Sequence, residues 1–235
     1  MGGEQTAFAE LGRATGTLVS LVPAHGESRV SAVAKPLSRT LAEGFGLAVL
    51  LADFENRGNS VWNSARSQCR LDGRTWGAFV YEADGLKTLD AYETHPRHIG
   101  RLMDYARANY STILADLTGA RDLHASEVLR ASDAIFLVAG SDHASLAAVR
   151  EKAEWLQSMG LRDRVALLLE RSPDGLGADQ VEDQTGLPVC SLIETKDHIE
   201  GLARWFASNA LTASQSAIDD VAVPKYECSA YALAG

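Results

Sequence analysis

Five short apolar runs, at residues 17–22, 47–52, 112–117, 134–139 and 165–169, most constrain the fold. Several are continuous rather than alternating, the composition of strands buried on both faces of a parallel sheet. Weaker runs lie at 86–91 and 189–193. Between the runs, residues 31–44, 97–109, 144–159, 178–185 and 198–211 show helical spacing. Strand and helix alternate, which predicts an α/β fold, a doubly wound, mostly parallel sheet flanked by helices. Gly44, Gly160 and Gly186-Leu187-Pro188 punctuate the helix ends. Pro36 falls early in the first helix, where a missing N–H costs least. Residues 56–85 lack a period and read as a loop-rich excursion. One domain over 1–211 and a poorly ordered tail over 212–235 complete the expectation.

In such sheets ligands bind beyond the carboxyl ends of the strands. Four strand ends here carry chemistry: the loop 23–31, Asp53, Asp116 and Glu170-Arg171. The loop follows an apolar strand and opens a helix near Ser31, the layout of a phosphate-binding loop. A lone aspartate after a strand is ordinarily a turn or helix cap. Two of them beside such a loop are more specific.

These pieces, in order and spacing, resemble the ParA/MinD superfamily of P-loop ATPases, with CpaE-type pilus proteins and the bacterial tyrosine kinases of exopolysaccharide export as the nearest relatives. The resemblance spans about residues 15–210. Residues 24–32, Ala-His-Gly-Glu-Ser-Arg-Val-Ser-Ala, are similar to the family's A-K-G-G-x-G-K-T-T. Residues 49–53, Val-Leu-Leu-Ala-Asp, are similar to its V-L-L-I-D strand. Tyr110 to Asp116 resembles the Y-D-x-I-I-x-D Walker B segment. Residues 132–138, 165–171 and 186–189, with Ile193 and Asp197, follow the later strands and the G-x-P-V ending. The resemblance implies that Gly26, Ser28 and Arg29 lie in the phosphate loop. It makes Ser31 a Mg²⁺ ligand, Asp116 the catalytic, metal-binding Walker B carboxylate and Asp53 a catalytic residue that orients the attacking water or binds Mg²⁺ through water. It places Arg171 and Asp197 near the base, and ATP or ADP with Mg²⁺ as cofactors.

The departures fall where the chemistry is most demanding. Val30 stands where the phosphate-binding lysine belongs, and a charge-assisted hydrogen bond of that kind is worth about 1.5–3 kcal/mol, about 10- to 150-fold in affinity. His25 replaces the lysine that in this superfamily reaches a partner's nucleotide, a contribution of roughly 10³–10⁵ in rate. Glu27 and Arg29 replace glycines; a side chain held in the left-handed region costs about 1–2 kcal/mol. Glu27 also sets a carboxylate against a triphosphate. Arg29, turned inward, would replace the lost lysine, because guanidinium pairs well with phosphate. Glu170 occupies the place of an adenine-reading Asn.

The remaining features carry blander readings. His95, His98, His124 and His143 have no metal spacing and are expected in solvated or capping roles. Trp155 and Trp205 sit on helical patterns and are expected in a core or interface. Tyr226 and Tyr231 only hint at a kinase-like tyrosine cluster. A net charge of −9 argues against nucleic acid as the main partner. Cys69, Cys190 and Cys228 form neither a metal nor a disulfide pattern, which with the absence of a signal peptide or an apolar run of membrane-spanning length points to a cytoplasmic protein. Two functions follow. One is a non-catalytic or very weakly catalytic protein that acts through a protein partner, or as a homodimer across the nucleotide face, on a pilus, secretion or polysaccharide-export machine. The other is a working ATPase or kinase that uses Arg29.

Overall fold

The computed structural model describes residues 16–26, 29–54, 76, 79–92, 94–172 and 175–216, with side chains through Ser208. Eight strands form one sheet in the order β3-β4-β2-β5-β1-β6-β7-β8. They are β1 (Thr17–Pro23), β2 (Val49–Asp53), β3 (Val80–Ala83), β4 (Leu86–Asp90), β5 (Thr112–Asp116), β6 (Ala134–Gly140), β7 (Val165–Glu170) and β8 (Val189–Leu192). Every pairing is parallel except β3 with β4. The doubly wound α/β sheet read from the apolar runs is therefore the fold.

Among the described residues six α-helices cover it: α1 (Val30–Arg39), α2 (Pro96–Asn109), α3 (Asp122–Ala131), α4 (His143–Ser158), α5 (Ala178–Thr185) and α6 (Lys196–Ser216). Side-chain alternation along β1 shows how the layers divide. Leu18 and Val22 join the core with α2 to α5, where Ile99, Leu102, Val128, Val149 and Val181 are packed. Val19 and Leu21 face the opposite way, onto Val30, Val33 and Leu37 of α1 and Leu202, Ala203 and Phe206 of α6. Burial on both faces explains why the central runs are apolar throughout.

Two elements escaped the sequence reading. Strand β3 falls inside the segment read as a loop. It is four residues long with Tyr81 and Glu82 exposed, and it exists because a tight turn at Asp84-Gly85, both at positive φ, folds it onto β4. Helix α3 shows no apolar stripe because His124 takes a core position while Leu123 is 70% exposed. This corrects the solvated or capping role expected of His124: it is buried, and its Nε2 donates to the Thr94 carbonyl at 2.6 Å. His95 does cap a helix, its Nδ1 accepting from the Arg97 N–H.

Pro36 sits farther into its helix than expected, because α1 begins at Val30. Ala32 and Pro36 both face solvent, so water can satisfy the carbonyl that proline leaves without a donor. The helix then widens into a π-helical turn, Thr40–Gly44, and the Leu47 N–H closes it on the Leu41 carbonyl. The last helix reaches Ser216, five residues beyond the spacing-based end at 211. Residues 217–235, with Tyr226 and Tyr231, lie outside the described residues. Trp205 packs edge-on against Phe136 and Phe206, which accounts for it as a core residue. Among the described residues no helix is long and apolar enough to cross a membrane.

Candidate functional site at the carboxyl ends of the central strands

Strand order sets the site. The chain leaves β1, passes to β2, and returns later to insert β5 between them, while β6 to β8 extend the other way. The reversal makes β1 a switch point, and its carboxyl end is where crevices open in such sheets. Parallel register sets Asp116 of β5 beside Asp53 of β2 and Leu21 of β1, and sets Asp53 beside Asp90 of β4. Asp53 and Asp116 are only 4% and 2% exposed. Both share the α1 side of the sheet with Leu51 and Leu114, two residues back along each strand.

Beyond Pro23 the Ala24 N–H still bonds the Val138 carbonyl of β6, at 3.0 Å. His25 and Gly26 are exposed. Gly26 does not adopt positive φ, and a Cβ built on it meets nothing within 4 Å, so no steric or dihedral demand selects glycine there. Glu27 and Ser28 lie outside the described residues. Arg29 is the exposed N-cap of α1, at φ −85° and ψ 52°, and its side chain makes no cap bond.

The next two residues divide between apolar and polar roles. Val30 is 0% exposed and packs in the cluster with Val19, Leu21, Val33 and Leu37. Ser31 donates its hydroxyl to Asp116 Oδ2 at 2.6 Å, and the other Asp116 oxygen accepts the Thr118 N–H at 2.9 Å. Hydroxyl and carboxylate are the hard oxygen donors a magnesium site uses. At the position where the resemblance expects the phosphate-binding lysine, the side chain is apolar and turned into the core. Among the described residues no three His, Cys, Asp or Glu side chains converge to hold a metal ion.

Arg171 and Asp197 lie apart from this pair. Arg171 follows β7, two strands from β1, and its Nε is 3.5 Å from Glu194 Oε1. Asp197 is exposed in the first turn of α6. The structure thus unites Ser31 and Asp116, keeps Asp53 on the neighbouring strand, and leaves Gly26 and Arg29 at the rim.

A second polar cluster, not singled out from the sequence, caps the ends of β6 and β7. Asp142 accepts the Ser145 N–H and hydroxyl at 2.9 and 2.7 Å and the Ser172 hydroxyl at 3.3 Å. The Ser145 backbone bond, then its hydroxyl, hold the Asp142 carboxyl below the usual carboxylate range. An aspartate three residues before a serine at a helix start was the available signal.

No protein-family model and no curated protein sequence matches the chain. Solved structures do. A ParA family ATPase from Chlorobium tepidum is 19% identical, with a TM-score of 0.64 over 87% of this chain and 94% of its own. MinD in the MinC:MinD cell division complex of Aquifex aeolicus is 17% identical, with a TM-score of 0.60 over 89% and 99%. MinD of Pyrococcus horikoshii, complexed with Mg-ADP, is 17% identical, with a TM-score of 0.57 over 86% and 96%. The chain has the fold of the ParA/MinD ATPases.

Proposed function

On that fold, we propose that this protein has lost nucleotide-driven chemistry, or keeps it only very weakly. It works instead as a cytoplasmic scaffold or regulator through protein contacts. The observation that carries this reading is Val30, fully buried at the position of the phosphate-binding lysine. A cation lost by substitution alone leaves a vacancy that a neighbour can fill. A valine built into the core ties the loop to packing, and restoring the cation would then cost core stability. The MinC:MinD complex shows this fold in a protein assembly. By its resemblance to CpaE-type and exopolysaccharide proteins, the machine served is a pilus, secretion or polysaccharide-export apparatus. A homodimer across the loop face is the alternative protein contact.

Titration with fluorescent ATP and ADP, with and without Mg²⁺, tests the reading. No binding at millimolar nucleotide is the expected result. Micromolar, Mg²⁺-dependent binding abolished by Arg29→Ala overturns it and makes the chain a working ATPase or kinase with an atypical loop.

A further inference from the structure

Helix α1 has two unlike faces. Its 3.6-residue period buries Val30, Val33, Ala34 and Leu37 in the cluster with β1 and α6, and turns Ala32, Lys35, Pro36 and Arg39 outward. Arg29, the exposed N-cap, continues that outer row. The row carries three cations, and no residue of Val30–Arg39 is acidic. In a chain with a formal net charge of −9, that is a local inversion of sign. Arg29 and Lys35 have no ion-pair or hydrogen-bond partner among the described residues. Arg39 donates to the Asp84 carbonyl at 3.2 Å, which holds it in place. Its contact with Glu43, at 3.9 Å and 69% exposed on the glutamate side, is too open to water to occupy it strongly. Between the cations lie two small residues, and Pro36 has no N–H to give the Ala32 carbonyl. The outer face thus offers spaced positive charges and one backbone acceptor, on a helix fixed from beneath.

These features select the kind of partner. By the helical rise, Lys35 stands ~9 Å and Arg39 ~15 Å beyond Arg29. Carboxylates about three and five residues apart on an extended chain span the same distances. Three cations are fewer than the roughly 6–10 phosphate contacts of a nucleic-acid binder or the roughly 4–8 clustered cations of a polybasic membrane anchor. An interfacial helix also needs large apolar side chains, where this face has Ala32 and Pro36. Screening limits each charge to about 8 Å at physiological salt, so the row and not the net charge acts on a bound segment. We propose that the outer face of α1 is a docking strip for an extended acidic segment of a partner protein. The segment sets carboxylates on Arg29, Lys35 and Arg39 and a backbone N–H on the Ala32 carbonyl. This rests on the functional reading above, a protein that works through protein contacts, and gives its partner a chemistry.

Fluorescence anisotropy of labelled Gly-Glu-Ser-Ser-Glu-Ser-Glu-Gly with the full chain, at about 20 mM salt to limit screening, tests it. The wild type binds this peptide and not its glutamine counterpart, and about 0.5 M salt abolishes the binding. Lys35→Glu weakens it about 2- to 30-fold, an attraction lost and a repulsion gained, each of the size found for exposed pairs. Arg29→Glu does the same, and Lys35→Gln has a smaller effect. Arg101→Glu makes the same charge change on the exposed side of α2, across the sheet, and leaves binding at the wild-type level. No binding by the wild type, or equal losses in Lys35→Glu and Arg101→Glu, overturns the strip. Tighter, Lys35-dependent binding of duplex DNA or of phosphatidylserine–phosphatidylcholine vesicles overturns the acidic protein partner. Nucleotide titration of the same preparations keeps the two readings apart: Mg²⁺-dependent ATP binding overturns the functional reading, and the comparison of Lys35→Glu with Arg101→Glu still judges the strip.

Discussion

Replacing Val30 by lysine sets the chemistry that the resemblance expects in this loop against its packing. The side chain is 0% exposed and surrounded by Val19, Leu21, Val33 and Leu37. Its burial contributes about 1.5–3 kcal/mol. The lysine ammonium can reach water past the exposed Arg29 and Ala32, so the lost apolar contact dominates over a buried charge. For a chain of 235 residues, each kcal/mol moves the melting temperature by about 2–4 °C. Val30→Lys is therefore expected to melt about 3–12 °C below wild type, as read by calorimetry without nucleotide. Val30→Ala, which adds no charge, falls by a comparable amount. Lysine alone does not restore nucleotide binding, because Glu27 and Arg29 remain in the loop. The triple change Val30→Lys, Arg29→Gly, Glu27→Gly does, and a ligand at 100 times its Kd then adds about 2.7 kcal/mol. A Val30→Lys protein that melts with wild type refutes the reasoning, since Val30 would then not be part of the core.

Three further outcomes follow from other parts of the molecule. Gly16→Ala drives a Cβ into the carbonyls of Tyr110 and Arg107, a backbone overlap that costs about 1–3 kcal/mol and shows as a lower denaturant midpoint with an unchanged slope. Asp142→Asn separates from wild type in a pH-dependent way. The folded carboxyl sits below its ordinary range, so its stabilisation is present above that range and is lost as pH falls through the lowered folded value. The two proteins are thus furthest apart in melting temperature above the ordinary carboxylate range and converge as pH falls through the lowered folded value; a constant gap counts against it. Arg107→Met removes the ion pair with Asp133 at 2.9 Å and the bonds to the Gly16 and Ala131 carbonyls. The half-buried site predicts a loss of about 1–3 kcal/mol by urea unfolding, and wild-type stability overturns that account.

The sheet was legible where burial alone chose the residues. Strands β1, β5, β6 and β7 are apolar on both sides because helices cover both faces, and their limits differ from the apolar runs by a residue at most. Strand β3 was not legible, since an edge strand with two exposed residues has its pairing partner, not its composition, to define it. Helix α3 was hidden by His124, a polar residue whose place in the core depends on a carbonyl thirty positions away.

The candidate site divides along the same line. Sequence by itself determined that Ser31, Asp53 and Asp116 stand at strand and helix ends, and that the loop has no lysine, because order along the chain is enough to place them. Only the tertiary structure decided which of them meet. Ser31 and Asp116 are 85 residues apart in sequence; insertion of β5 between β2 and β1 brings them to hydrogen-bonding distance. The same packing carries the helix back from Ser31 to include Val30, whose spacing with Val33, Ala34 and Leu37 then points it inward, onto Val19 and Leu21 of β1.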